Sequence, residues 1–120
     1  MQPRDLAAKK KLLVFVVAYN AERTIQNVIR RIPSSLSQYD TEILIIDDSS
    51  QDGTFHAAKA FEASPFPVTV LSNPVNQRYG GNQKIGFHYA IEAGFDFVAL
   101  LHGDGQYAPE LLPELSPFPS

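Results

Sequence analysis

Leu12-Leu13-Val14-Phe15-Val16-Val17-Ala18 is apolar without interruption. A strand with one wet face alternates apolar and polar residues. A strand covered on both faces does not, and helix-flanked parallel sheets are where such strands occur. β-Branched and aromatic residues favour strand over a turn of buried helix. Ile43-Leu44-Ile45-Ile46 repeats the pattern downstream, and residues 68–71 and 95–101 read as a short third and a fourth strand.

The intervening segments read as helices and loops. Ile25, Val28, Ile29 and Ile32 fall at i, i+3, i+4 and i+7, which predicts an amphipathic helix with Asn20 as its N-cap and Pro33 as its stop. Residues 34–39 are polar and read as loop. Asp52-Gly53-Thr54 offers a turn and a cap for a second helix over 55–63. Residues 72–81 read as a long polar loop that holds Gly80-Gly81. A third helix is expected over 82–93, with Ile85, Tyr89 and Ala93 on one face and Gly94 as its C′ residue. Pro109 opens a last helix. Strand and helix alternate three times, which predicts an α/β fold: a parallel sheet, helices on both faces in three α/β/α layers, and right-handed crossovers. Residues 1–11 read as a flexible N-terminal tail, with Lys9, Lys10 and Lys11 a solvated flank.

The 120 residues are 44% hydrophobic and 19% charged, so the chain can bury a core and is one domain or part of one. A net charge of −3 gives no reason to expect nucleic acid as a partner. There is no cysteine, so any metal takes oxygen or imidazole ligands, which favours hard ions such as Mg²⁺ or Mn²⁺. No apolar run approaches the ~20 residues of a membrane span.

The polar clusters all follow strands: Tyr19-Asn20-Ala21-Glu22, Asp47-Asp48-Ser49-Ser50, residues 73–81, and His102-Gly103-Asp104-Gly105-Gln106. In a parallel sheet these clusters share one edge, where open α/β sheets bind ligands. Asn20 serves as a helix cap, a ligand contact or both. Adjacent carboxylates at Asp47 and Asp48 repel one another, which argues that at least one has a functional role. If the last cluster is extended, alternate residues place His102, Asp104 and Gln106 on one side, where together they can hold a divalent cation. The Walker phosphate loop and the dinucleotide fingerprint are absent. His56 and His88 fall inside helical stretches and read as surface or core residues.

Val17-Ala18-Tyr19-Asn20-Ala21-Glu22, Ile46-Asp47-Asp48-Ser49-Ser50-Gln51-Asp52-Gly53-Thr54 and His102-Gly103-Asp104-Gly105-Gln106 occur in this order. Together they resemble the family 2 inverting glycosyltransferases of the GT-A fold, especially the dolichol-phosphate mannosyltransferase-like branch. The resemblance implies that residues 12–120 form the Rossmann-like, nucleotide-sugar-binding half of a GT-A domain, truncated before the acceptor half. It implies a UDP- or GDP-linked sugar donor and Mg²⁺ or Mn²⁺. Ala18, Tyr19, Asn20 and Glu22 would line the base and ribose pocket, and Asp48, with Asp47, would contact base or ribose. Gly80, Gly81 and Asn82 would close over the nucleotide. Asp104 matches the last carboxylate of the family's Asp-x-Asp, with His102 and Gln106 as further metal ligands.

The catalytic base is expected beyond Ser120, so the chain alone would bind donor without catalysing. The acceptor would be a lipid phosphate, a glycan or a protein, as in cell-envelope polysaccharide or glycolipid synthesis. The implied location is the cytoplasm or the cytoplasmic face of a membrane, with membrane association only through parts outside the chain. Three residues depart from the family pattern: His102 replaces the first Asp of Asp-x-Asp, Ala18 a common proline, and Arg78 a common glycine. Two other readings are a non-catalytic nucleotide-binding module and a nucleotidyltransferase. The latter would need a glycine-rich basic loop where this chain has Ala-Tyr-Asn-Ala-Glu.

Overall fold

The computed structural model describes residues 9–104. The helix expected at Pro109 lies outside them. Four strands, β1 (Lys11–Ala18), β2 (Asp40–Asp47), β3 (Val68–Ser72) and β4 (Phe97–His102), form one sheet in the order β3-β2-β1-β4, every pair parallel. β1 is joined to β2 through α1 (Ile25–Arg30) and a 3-10 turn (Ser34–Gln38). α2 (Thr54–Ala60) leads to β3, and α3 (Arg78–Glu92) to β4. This is the expected α/β architecture, and β1 is its centre: Leu12 lies opposite both Thr41 and Phe97.

The uninterrupted apolar character of β1 follows from that position. Leu12, Val14, Val16 and Ala18 pack on one side with Ile43 and Ile45 under α1 and α2. Leu13, Phe15 and Val17 pack on the other with Leu44 and Ile46, on the side that Ala90 of α3 covers. Each valine, leucine, isoleucine or phenylalanine among them contributes about 1.5–3 kcal/mol when fully buried.

The apolar stripe of α1 is buried as the spacing requires, through Ile25, Val28, Ile29 and Ile32. Its start is not where the sequence suggested. The helix begins at Ile25, and Asn20, with φ 48°, spends its side chain elsewhere and caps nothing. The segment read as polar loop is the 3-10 turn, whose Leu36 is fully buried and whose carbonyl accepts the Thr41 hydroxyl at 2.7 Å. β2 begins three residues before Ile43. α2 ends at Ala60, short of residue 63, because Phe61 turns to extended backbone and packs at the edge of the core beneath the Arg30 guanidinium.

The third helix differs most from expectation. It starts at Arg78, so Gly80 and Gly81 lie in its first turn and not in a loop. Its buried face is Asn82, Gly86 and Ala90, while Ile85 and Ala93 are exposed and Tyr89 is half-buried. The reason is Gly86: a Cβ there would sit 2.0 Å from the Phe15 ring, so the helix backbone rests directly on that ring. Hydrophobic periodicity cannot register a contact made by a missing side chain.

The C-terminus of α3 is as expected. Gly94 takes φ 75°, its N–H reaches the Ile91 carbonyl, and the Phe95 N–H reaches that of Ala90, the paired bonds of a glycine-closed helix end. Phe95 is therefore buried as part of this cap, and β4 begins two residues later. Among the described residues, no helix is long and apolar enough to cross a membrane.

Candidate functional site

β1, β2 and β3 succeed one another in one direction across the sheet, and β4 returns to the other side of β1. The gap outside the carboxyl ends of β1 and β4 is the switch point where α/β sheets open a crevice. A cavity of about 350 Å³ lies there. Val17, Ala18 and Tyr19 line it at the end of β1, His102, Gly103 and Asp104 at the end of β4, Asp48 just after β2, Asn76 before α3, and Arg78 and Asn82 from the first turns of α3. Tyr19 is 49% exposed, leaving its ring available as a wall. The volume and the mix of apolar wall with a few convergent polar groups suit a small-molecule ligand.

Asp47 and Asp48 are both buried, yet the strand geometry sends them to opposite faces, which separates the charges that adjacency brings together. Asp47 turns toward α2 and accepts the Ser50 hydroxyl. Asp48 turns toward α3, where one carboxylate oxygen accepts the Gln77 N–H at 2.7 Å and the Asn73 amide at 2.9 Å. The Asn73 amide also reaches Asn82, whose own amide donates to the Ile46 carbonyl. Asp48 therefore holds the segment before α3 in place while also facing the cavity.

A second network joins the loops after β1 and β2. Ser50 accepts the Asn20 N–H at 2.8 Å, the Asn20 side-chain oxygen accepts the Gln51 N–H, and Thr54 accepts the Ala21 N–H. Glu22 accepts the Gly53 N–H at 3.0 Å, and Asp52 accepts the Glu22 N–H. Asp52 also accepts the backbone N–H and hydroxyl of Thr54, and that hydroxyl holds its pKa below the ordinary carboxylate value. Asn20, Glu22 and Asp47 thus brace the edge without lining the cavity. Gly80 and Gly81 do not line it either.

At the end of β4 the Gly103 N–H continues the ladder to the Val17 carbonyl at 2.8 Å, and the Gly103 carbonyl accepts the Thr24 hydroxyl at 2.6 Å. A Cβ at Gly103 would meet Ile25 and Ala18 at 3.1 and 3.2 Å. The backbone turns at Gly103 and Asp104, so the extended geometry expected for this cluster stops at His102. His102 and Asp104 nevertheless both reach the cavity, Asp104 from its exposed lip. Gln106 lies outside the described residues. Among the described residues, no three His, Cys, Asp or Glu side chains gather closely enough to hold a metal by themselves.

His56 is exposed, and His88 pairs with Glu92 on the surface of α3. Nothing in the sequence marks Thr24 as a site residue. It carries no motif, and its role comes from a contact 79 residues away in the chain. Asn76 falls within the polar cluster after β3, but only the fold shows that it faces the cavity.

Residues 13–118 match the model of the family described as glycosyl transferase family 2. The chain is 30% identical over 105 residues to an undecaprenyl-phosphate mannosyltransferase of Micrococcus luteus, covering 88% of this chain and 42% of that protein. Over 115 residues it is 30% identical to a UDP-N-acetylglucosamine–dolichyl-phosphate N-acetylglucosaminyltransferase of Methanococcus voltae, covering 86% and 45%. The chain thus spans less than half the length of these relatives. Among solved structures, residues 1–349 of S. aureus TarS in complex with UDP-GlcNAc share the fold with a TM-score of 0.59, at 21% identity over 78% of this chain and 26% of that one.

Proposed function

The chain belongs to glycosyl transferase family 2, and from that premise we propose that it binds the donor for an inverting glycosyltransferase using a UDP- or GDP-linked sugar. The observation that carries this reading is the cavity at the switch point, where the ends of β1, β2 and β4 and the start of α3 converge. Ala18 and Tyr19 would take the base and ribose against the apolar wall. Asp48 would fix the ribose or base edge while keeping the turn before α3 in place.

His102 and Asp104 are the described residues that would hold Mg²⁺ or Mn²⁺. Such a cation needs only one or two side chains when phosphate oxygens and water complete its shell, and an imidazole beside a carboxylate at the cavity lip meets that need. When bound, it supplies neutralisation of the charge that develops on the diphosphate leaving group. The base that activates the acceptor would come from outside this chain. A polyprenol-type lipid phosphate is the acceptor class we favour, because both curated relatives are named for transfer to one.

Titration calorimetry with UDP and GDP, with and without Mn²⁺, tests the reading. The wild-type chain should bind one of them more tightly when Mn²⁺ is present, and Asp104→Asn should lose that metal-dependent gain. Equal metal dependence in the variant would remove Asp104 from the site. Failure of any nucleoside diphosphate to bind would reject the function.

A further inference from the structure

Arg78 stands in left-handed backbone at φ 61°, a conformation that residues other than glycine, asparagine and aspartate seldom adopt. The surrounding turn imposes it. The Arg78 N–H donates to the Asn76 side chain at 2.8 Å, the Gln77 N–H donates to Asp48, and the Asn76 amide donates back to the Asp48 carbonyl. Three successive residues are thereby tied down, and the chain leaves the turn with Arg78 facing the cavity.

The charges around that cavity give the placement a purpose. Asp48 and Asp104 both line it, and a diphosphate entering it would meet two carboxylates. Among the described residues that line the cavity, Arg78 is the only permanently cationic side chain. A guanidinium is a planar fork of donors that matches phosphate oxygens two at a time. It lies on a long, exposed side chain that can follow the ligand.

We infer that Arg78 is a phosphate-binding residue of the donor site, its guanidinium taking the diphosphate from the α3 side while His102 and Asp104 approach from the end of β4. This rests on the donor-binding reading above. The strained turn brings a permanent cation to a cavity that the described residues otherwise line with two carboxylates.

Arg78→Gly separates the charge from the turn, because glycine takes positive φ freely and keeps the backbone path. UDP, GDP, uridine and guanosine would be titrated into wild type, Arg78→Gly and Arg78→Lys, in EDTA and again with Mn²⁺. Arg78→Gly should weaken the diphosphate about tenfold, as expected for one charge-assisted contact, and leave the nucleoside unchanged. Arg78→Lys should recover part of the loss. Thermal melting of Arg78→Gly should match or exceed wild type, since the strain is relieved. An unchanged preference for diphosphate over nucleoside in Arg78→Gly would overturn the inference, as would equal weakening of both ligands, which marks a merely structural role. If the wild type itself binds no diphosphate, the donor-binding reading fails, and the inference with it.

Discussion

On one face of the sheet, α1, the 3-10 turn and α2 lay Ile25, Val28, Ile29, Leu36 and Ala58 over the even-numbered residues of β1. On the other, α3 sets Gly86 against the Phe15 ring and fastens its first turns with the amides of Asn73, Asn76 and Asn82. The first face is closed by volume and the second by close approach and polar ties. Neither leaves a buried side-chain nitrogen or oxygen without a partner among the described residues. The contrast teaches that the two faces should fail in opposite directions: one when atoms are removed, the other when they are added.

Leu36→Ala should show the largest effect, a loss of about 2–5 kcal/mol in denaturant unfolding, because the site is fully buried and cannot collapse completely. Gly86→Ala should come next, at about 1–3 kcal/mol, despite the roughly 0.8–1 kcal/mol that alanine gains over glycine in a helix. Adding Phe15→Leu should recover part of that loss in a double-mutant cycle. A neutral or stabilising Gly86→Ala would break the contrast outright.

Asn82→Ala tests the polar ties. It removes a donor to the Ile46 carbonyl and an acceptor for Asn73, and should cost about 1–3 kcal/mol. A variant as stable as wild type would leave close packing alone to hold α3.

The smallest effect belongs to Asp52 at the rim of the first face. Its folded pKa is depressed, first by the Thr54 hydroxyl, so its contribution is present above the unfolded carboxylate value of about 3.9 and lost as pH falls through the folded one. The stability difference between wild type and Asp52→Asn should therefore stay constant from neutral pH to about pH 5 and shrink below about pH 4. An exposed group limits the size of the effect. A difference that grows with acid would contradict the assignment.

The two central strands and the sheet's parallel character were legible because burial on both faces leaves an unbroken apolar run, as at residues 12–18 and 43–46. The convergence of loops on one edge followed from that alone. What the sequence concealed has three physical sources. The packing of α3 depends on an absent side chain at Gly86. Leu36 is one buried residue in a polar segment and gives no periodic signal. Asn20, Glu22 and Thr24 find partners about thirty or more residues away along the chain, at Gln51, Gly53 and Gly103.

The central place of β1 has a consequence for how the chain is made. One of its edges pairs with β2 early, but the other waits for β4, and the bond from the Lys11 N–H to Asp96 spans 85 residues. At ordinary translation speeds of about 5–20 residues per second, that is a delay of roughly 4 to 17 seconds. Through that interval the most apolar strand carries an open edge, the hazard that non-local parallel pairing brings. Chaperone demand during synthesis should therefore be governed by when residues 97–102 emerge.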